Sequence, residues 1–85
     1  ANKYLVIMTF GPDRPGLIAE ISSVIADFGY SIEDMDQVVM HEIFILSLLV
    51  NISSSITPLN RLKKKMKYLC HELGLKVAFY YAGGK

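Results

Sequence analysis

The sequence predicts an α+β, ferredoxin-like fold: β-α-β-β-α-β, a four-stranded antiparallel sheet with two helices on one face. Two stripes of apolar residues at helical spacing, four runs of strand-forming residues, and the order in which they alternate carry this expectation. The 85 residues set the scale of one domain, residues 1–85.

"KYLVIMTF" (3–10) is apolar, rich in strand formers and stops at a turn cluster, so it reads as the first strand. Leu17, Ile18, Ile21, Val24, Ile25 and Phe28 then recur at i, i+1, i+4, i+7, i+8 and i+11, the stripe of an amphipathic helix, with Gly29 as its stop. "YSIEDMDQVVM" (30–40) is a more polar second strand and "IFILSLLVN" (43–51) an apolar third. His41 and Glu42 between them make a tight hairpin that lacks the usual glycine. Thr57 before Pro58 reads as an N-cap with proline in the first turn. Leu59, Leu62, Met66, Leu69 and Leu73 form the second helical stripe, closed by Gly74, and "LKVAFYY" (75–81) is the fourth strand. Right-handed crossovers put the first and third strands, the most apolar pair, in the centre of the sheet.

Two helices on one face leave the other face bare. Tyr4, Val6 and Met8 nevertheless alternate with Leu5 and Ile7, and the third strand is apolar on both sides apart from Ser47. A sheet apolar on both faces predicts a covering partner, a second copy or a neighbouring domain.

Composition removes several classes. Hydrophobic residues make up 52% of the chain, generous for its length, and net charge is +1, which by itself argues neither for nor against nucleic acid or membrane. One cysteine, Cys70, excludes an internal disulfide framework and fits a reducing cytoplasm. No apolar run reaches the roughly 18 residues of a membrane span, and "ANKYLVIMTF" has no signal-peptide cleavage pattern. "AGGK" at the end reads as a tail or the start of a linker.

"GPDRPG" (11–16) joins the first strand to the first helix. A helix N-terminus presents unpaired N–H groups and partial positive charge, a seat for a small carboxylate. Gly11 and Gly16 let backbone approach a ligand, Arg14 adds a charged donor, and Asp13 can accept from an ammonium group. Those features match the two ends of an amino acid. The same residues also serve as plain turn formers with Asp13 as helix cap, and both readings stand on the sequence. The stretch lacks the Lys-Ser/Thr of a P-loop and the glycine spacing of a dinucleotide fingerprint.

Other clusters are weaker. Glu33, Asp34, Asp36 and Glu42 with His41 suggest a metal site or a carboxylate pair, but read better as an exposed polar edge strand, with Asp34 and Asp36 sharing a face. His41 and His71 read as solvated, Cys70 as a small buried hydrophobe. "RLKKKMK" (61–67) reads as a solvated helix face rather than an RNA contact, because the central strands lack the aromatic consensus of RNA-recognition domains. Phe79, Tyr80 and Tyr81 read as filling a sheet interface. No constellation for nucleophilic, acid–base or metal chemistry is present, so no cofactor is expected and the chain reads as non-catalytic.

The stretch "GPDRPGLIAEISSVIADFGYSIEDMDQVVM" resembles the start of an ACT domain, the small-molecule regulatory module of amino-acid metabolism. "DMDQVVMHEIFILSLLV" is similar to the N-terminal region of phosphoserine phosphatases, and stand-alone ACT proteins share much of it. The resemblance covers residues 3 to 82. It implies the βαββαβ fold, pairing of domains, and an amino acid (serine or glycine foremost) bound at an interface by the loop after the first strand. Carried over, Asp13 and Gly16 fall on ligand-contacting positions, with Gly11, Pro12 and Arg14 lining the same loop. Ser31 takes the position where many members use Asn to reach the ligand across the interface. The resemblance also leaves room for a regulatory domain of a phosphoserine phosphatase whose catalytic part lies elsewhere, or an interaction module with no ligand.

Overall fold

The computed structural model describes residues 3–53 and 57–83. Its elements run β1 (Lys3–Pro12), α1 (Leu17–Asp27), β2 (Ser31–Met40), β3 (Ile43–Asn51), α2 (Leu59–Glu72) and β4 (Lys76–Gly83). The sheet order is β2-β3-β1-β4 and all pairings are antiparallel, so the two most apolar strands are central, as expected.

Alternation sorts the central strands cleanly. Leu5, Ile7 and Thr9 of β1 and Phe44, Leu46, Leu48 and Val50 of β3 are buried beneath the helices. They meet Leu17, Ile21, Val24 and Ile25 of α1 and Leu62, Met66 and Cys70 of α2 in one core. Burial without a polar partner pushes the Cys70 thiol up to about 11. Thr9 is the exception in this layer: its hydroxyl is buried with no hydrogen-bond partner.

Both helices stop the same way. Gly29 and Gly74 take φ of 82° and 75°, a region that favours glycine. After α1, the N–H of Gly29 donates to Ala26 (2.9 Å) and that of Tyr30 to Ile25 (3.2 Å). After α2, the N–H of Gly74 donates to His71 (3.2 Å) and that of Leu75 to Cys70 (2.8 Å). This is the Schellman pattern, and the residue after each glycine, Tyr30 or Leu75, is buried in the core. The glycine stops read from sequence therefore hold.

The helix starts differ from expectation. Neither has a side-chain cap hydrogen bond: Gly16 precedes α1 and Pro58 precedes α2. Thr57 lies one residue before the α2 cap, where its backbone carbonyl accepts from the Tyr30 hydroxyl (2.6 Å). The β2–β3 hairpin turns through His41, whose φ of 56° is the left-handed conformation glycine would supply more cheaply.

The uncovered face carries Tyr4, Val6, Met8 and Phe10 of β1, and Ile43, Ile45, Ser47 and Leu49 of β3. Its two central strands are apolar there apart from Ser47, as predicted, while Asp34 and Asp36 of β2 and Lys76 of β4 stand on the same face toward its edges. Tyr80 of β4 joins it, opposite Val6, whereas Phe79 and Tyr81 lie on the helix side opposite Ile7 and Leu5. The three aromatics therefore do not fill one interface. Phe79 and Tyr81 receive the α2 lysines instead, with Lys63 Nζ 4.5 Å from the Tyr81 ring centre and donating to its hydroxyl (2.7 Å).

Candidate functional site

The loop after β1 is shorter than the sequence suggests. Gly11 and Pro12 continue the strand, opposite Phe44 and Ile43. Pro12 is tolerated because β4 pairing has already ended, at Phe10 opposite Lys76, so the missing N–H breaks no ladder bond on that side. Gly11 is also held by packing. A Cβ on Gly11 would lie 2.9 Å from the Gly74 carbonyl oxygen and 3.2 Å from Leu75 Cα, in the turn between α2 and β4. Gly16 has open space around it and a φ of 86°, which lets the chain swing into α1.

Asp13 does not cap α1. It stands three residues before the Gly16 cap, outside the reach of a capping side chain, and its own N–H donates to the Glu42 carbonyl at 3.0 Å. That bond ties the loop to the tip of the β2–β3 hairpin. The first helical bond is made by the Glu20 N–H to the Gly16 carbonyl (3.0 Å). The N–H groups of Leu17, Ile18 and Ala19 precede it and are left for an acceptor from outside the helix.

Leu17 and Ile18, the first two of these, line a cleft of about 330 Å³ together with Asp13, Arg14, Pro15, Gly16, Gln37 and Phe44. Its size falls at the lower end of small-molecule sites. Its lining thus combines the start of α1 with one carboxylate residue, Asp13, one amide residue, Gln37, and the buried apolar ring of Phe44.

Gln37 reaches this cleft because of a bulge. The β2–β3 register shifts between Ile32 and Asp34, so Ile32 opposes Val50 and Asp34 opposes Leu49. The extra residue, Glu33, flips every later side chain of β2. Asp34 and Asp36 go to the uncovered face, opposite Leu49 and Ser47, and so share a face as expected. Gln37 goes to the helix side beside α1. Strict alternation from Ile32 would have put it on the opposite face, and no residue in the stretch signals the bulge.

Of the sequence-named residues, Asp13, Arg14 and Gly16 line the cleft, and Gly11 and Pro12 lead into it from the strand. Ser31 does not join them within one chain. It opposes Asn51 while Pro12 opposes Ile43, eight positions along β3, or about 26 Å at strand rise. No group of three or more His, Cys, Asp or Glu residues positioned for a metal occurs among the described residues. No helix among them is long and apolar enough to cross a membrane.

The comparisons with known proteins agree with this geometry. The ACT domain profile matches residues 3–80. A UPF0237 protein of Methanopyrus kandleri is 36% identical over 72 residues, covering 85% of this chain and 80% of its own. Among solved structures, an ACT domain protein from Streptococcus pneumoniae superposes with a TM-score of 0.81 at 24% identity, covering 96% of this chain and 92% of its own. A formyltetrahydrofolate deformylase from Pseudomonas syringae pv. tomato contains the same fold, with a TM-score of 0.87 at 14% identity over 100% of this chain and 29% of its own. The split βαββαβ sheet, the loop that leads into an uncapped helix and the profile match together place this chain in the ACT domain family.

Proposed function

We propose that this ACT domain is a non-catalytic, cytoplasmic regulatory module that binds a free amino acid in the cleft between the start of α1 and Gln37. The carrying observation is the uncapped α1 N-terminus facing a pocket that also holds a carboxylate, Asp13. A ligand carboxylate accepts from the N–H groups at the helix start, and its ammonium group donates to Asp13. Serine and glycine come first in the ligand panel on the sequence resemblance alone; the relatives found are UPF0237 proteins, and none of them is a phosphoserine phosphatase. Gly11, Pro12 and Arg14 support the loop, and Ser31 belongs to the site only if a second copy brings it there.

The second copy is itself part of the proposal. The apolar uncovered face supports a homodimer in which two sheets stack. The domain measures 39 × 21 × 17 Å, so its broad side offers close to the roughly 800 Å² per partner of a standard interface.

Calorimetry and thermal shift with free amino acids test the ligand. A bound amino acid at a hundredfold excess over its dissociation constant stabilises by about 2.7 kcal/mol. Asp13→Ala weakens binding by roughly 1.5–3 kcal/mol, the loss of a hydrogen bond to a charged group. Its effect on the unliganded fold stays within about 0.5 kcal/mol, as for exposed surface positions, because Asp13 caps nothing. If no amino acid shifts the melting temperature at millimolar concentration, the cleft is only a turn.

A further inference from the structure

The outward face of α2 is built against its own helix. Arg61, Lys63, Lys64, Lys65 and Lys67 crowd its first two-thirds, its first turn holds no acid, and its sole acidic residue is Glu72 at the far end. Helix dipoles favour anions near the N-terminus, so these cations sit at the disfavoured end. They also repel one another as i, i+3 or i, i+4 pairs: Arg61–Lys64, Arg61–Lys65, Lys63–Lys67 and Lys64–Lys67. Among the described residues none of the five is paired with a carboxylate. Lys63 and Lys67 rest on the rings of Tyr81 and Phe79. Arg61, Lys64 and Lys65 instead rim a groove of about 470 Å³ whose walls are Phe28, at the end of α1, and Tyr68. Tyr68 is 61% exposed.

We infer that this groove docks an acidic peptide segment of another protein, one carrying an apolar anchor flanked by carboxylates. The unneutralised rim calls for anions, and the two aromatic walls call for an apolar side chain between them. A single-stranded nucleic acid fits less well, because its bases need an open aromatic face. Lys65 Nζ already stands 5.5 Å from the centre of the Tyr68 ring. The groove lies at the C-terminal end of α1 and the amino-acid cleft at its N-terminal end, so the docking surface is separate from that cleft and does not depend on it.

The test is fluorescence anisotropy of a labelled twelve-residue Glu/Asp peptide with a central Leu-Phe, added to the whole chain without amino acids. Binding is expected at 50 mM salt and should weaken at least tenfold at 0.5 M. Arg61→Glu should weaken it at least tenfold again. The same change removes two repulsions and puts an acid in the first turn, so it should raise the melting temperature by roughly 4–8 °C. Tyr68→Ala, or Ser-Ser in place of Leu-Phe, should also weaken binding tenfold. The inference fails if the peptide does not bind at 50 mM salt, or if Arg61→Glu leaves binding intact. It fails equally if the Ser-Ser peptide binds as well, or if a single-stranded oligonucleotide of equal charge binds more tightly.

Discussion

Replacing Gly11 by alanine tests the packing role assigned to it. The added methyl would stand 2.8 Å from Leu75 Cδ2, 2.9 Å from the Gly74 carbonyl oxygen and 3.2 Å from Leu75 Cα. Two of these three atoms are backbone, in a turn already fixed by the Schellman bonds of Gly74 and Leu75. The side-chain atom belongs to a residue that is 6% exposed and has little room to swing away. The strand and the turn must separate by several tenths of an ångström, and overpacking of this kind costs about 1–3 kcal/mol. For a domain of this size each kcal/mol lowers the melting temperature by about 4–8 °C. Urea unfolding gives the free energy, and amide exchange at Gly74 and Leu75 localises the damage. In a double-mutant cycle, Leu75→Ala should recover less than half of the loss, since the backbone atoms stay. A variant that melts within a degree of the parent, or one fully rescued by Leu75→Ala, would refute the assignment.

Other perturbations report on other layers. Val6→Lys, a charge at the centre of the uncovered face, should convert the proposed dimer to a monomer of 9.5 kDa in sedimentation without unfolding it. Thr9→Val removes an unsatisfied buried hydroxyl with little change of shape, and should raise stability in urea by about 1 kcal/mol. Cys70 should resist thiol reagents at pH 8 until the chain unfolds, because the buried thiol stays protonated. Its folded value of about 11 lies above the ordinary 9.0, so the unfolded chain loses this proton first as pH rises. The corresponding stability is therefore complete below pH 9 and lost between pH 9 and 11, which melting curves across that window check.

The fold was legible because its signals are local. Two apolar stripes and two glycines one residue beyond them mark both helices and their ends, and the structure keeps all of it. What escaped depends on residues far apart in the chain. Gly11 read as a loop glycine because the turn it packs against lies more than sixty residues away. The Glu33 bulge leaves no mark in "SIEDMDQ", yet it alone decides that Gln37 faces the cleft and Asp36 does not. Asp13 looked like a cap from composition, but the position of Gly16 set the helix start beyond its reach. The cleft was thus half legible: the loop side could be read, whereas the strand side, Gln37 and Phe44, required the register.

The sheet order carries one more consequence, for how the chain could be rewired. Exchanging the β1-α1-β2 half with the β3-α2-β4 half turns the order 2-3-1-4 into its own mirror reading, 4-1-3-2. Lys3 and Gly83 stand directly opposite each other in the β1–β4 pair. A four-residue linker from Gly83 to Lys3 therefore closes a hairpin, within the usual length for such loops. Cutting between His41 and Glu42 then yields a circular permutant that reads β3-α2-β4-β1-α1-β2, again strand-helix-strand twice over. Such a chain keeps every packing layer and changes only which hairpin is continuous. It also severs the covalent link at the hairpin tip that the Asp13 N–H grips through Glu42. Comparing affinity for the proposed amino acid ligand in the permutant and the parent would separate what the cleft owes to the sheet from what it owes to an intact tip.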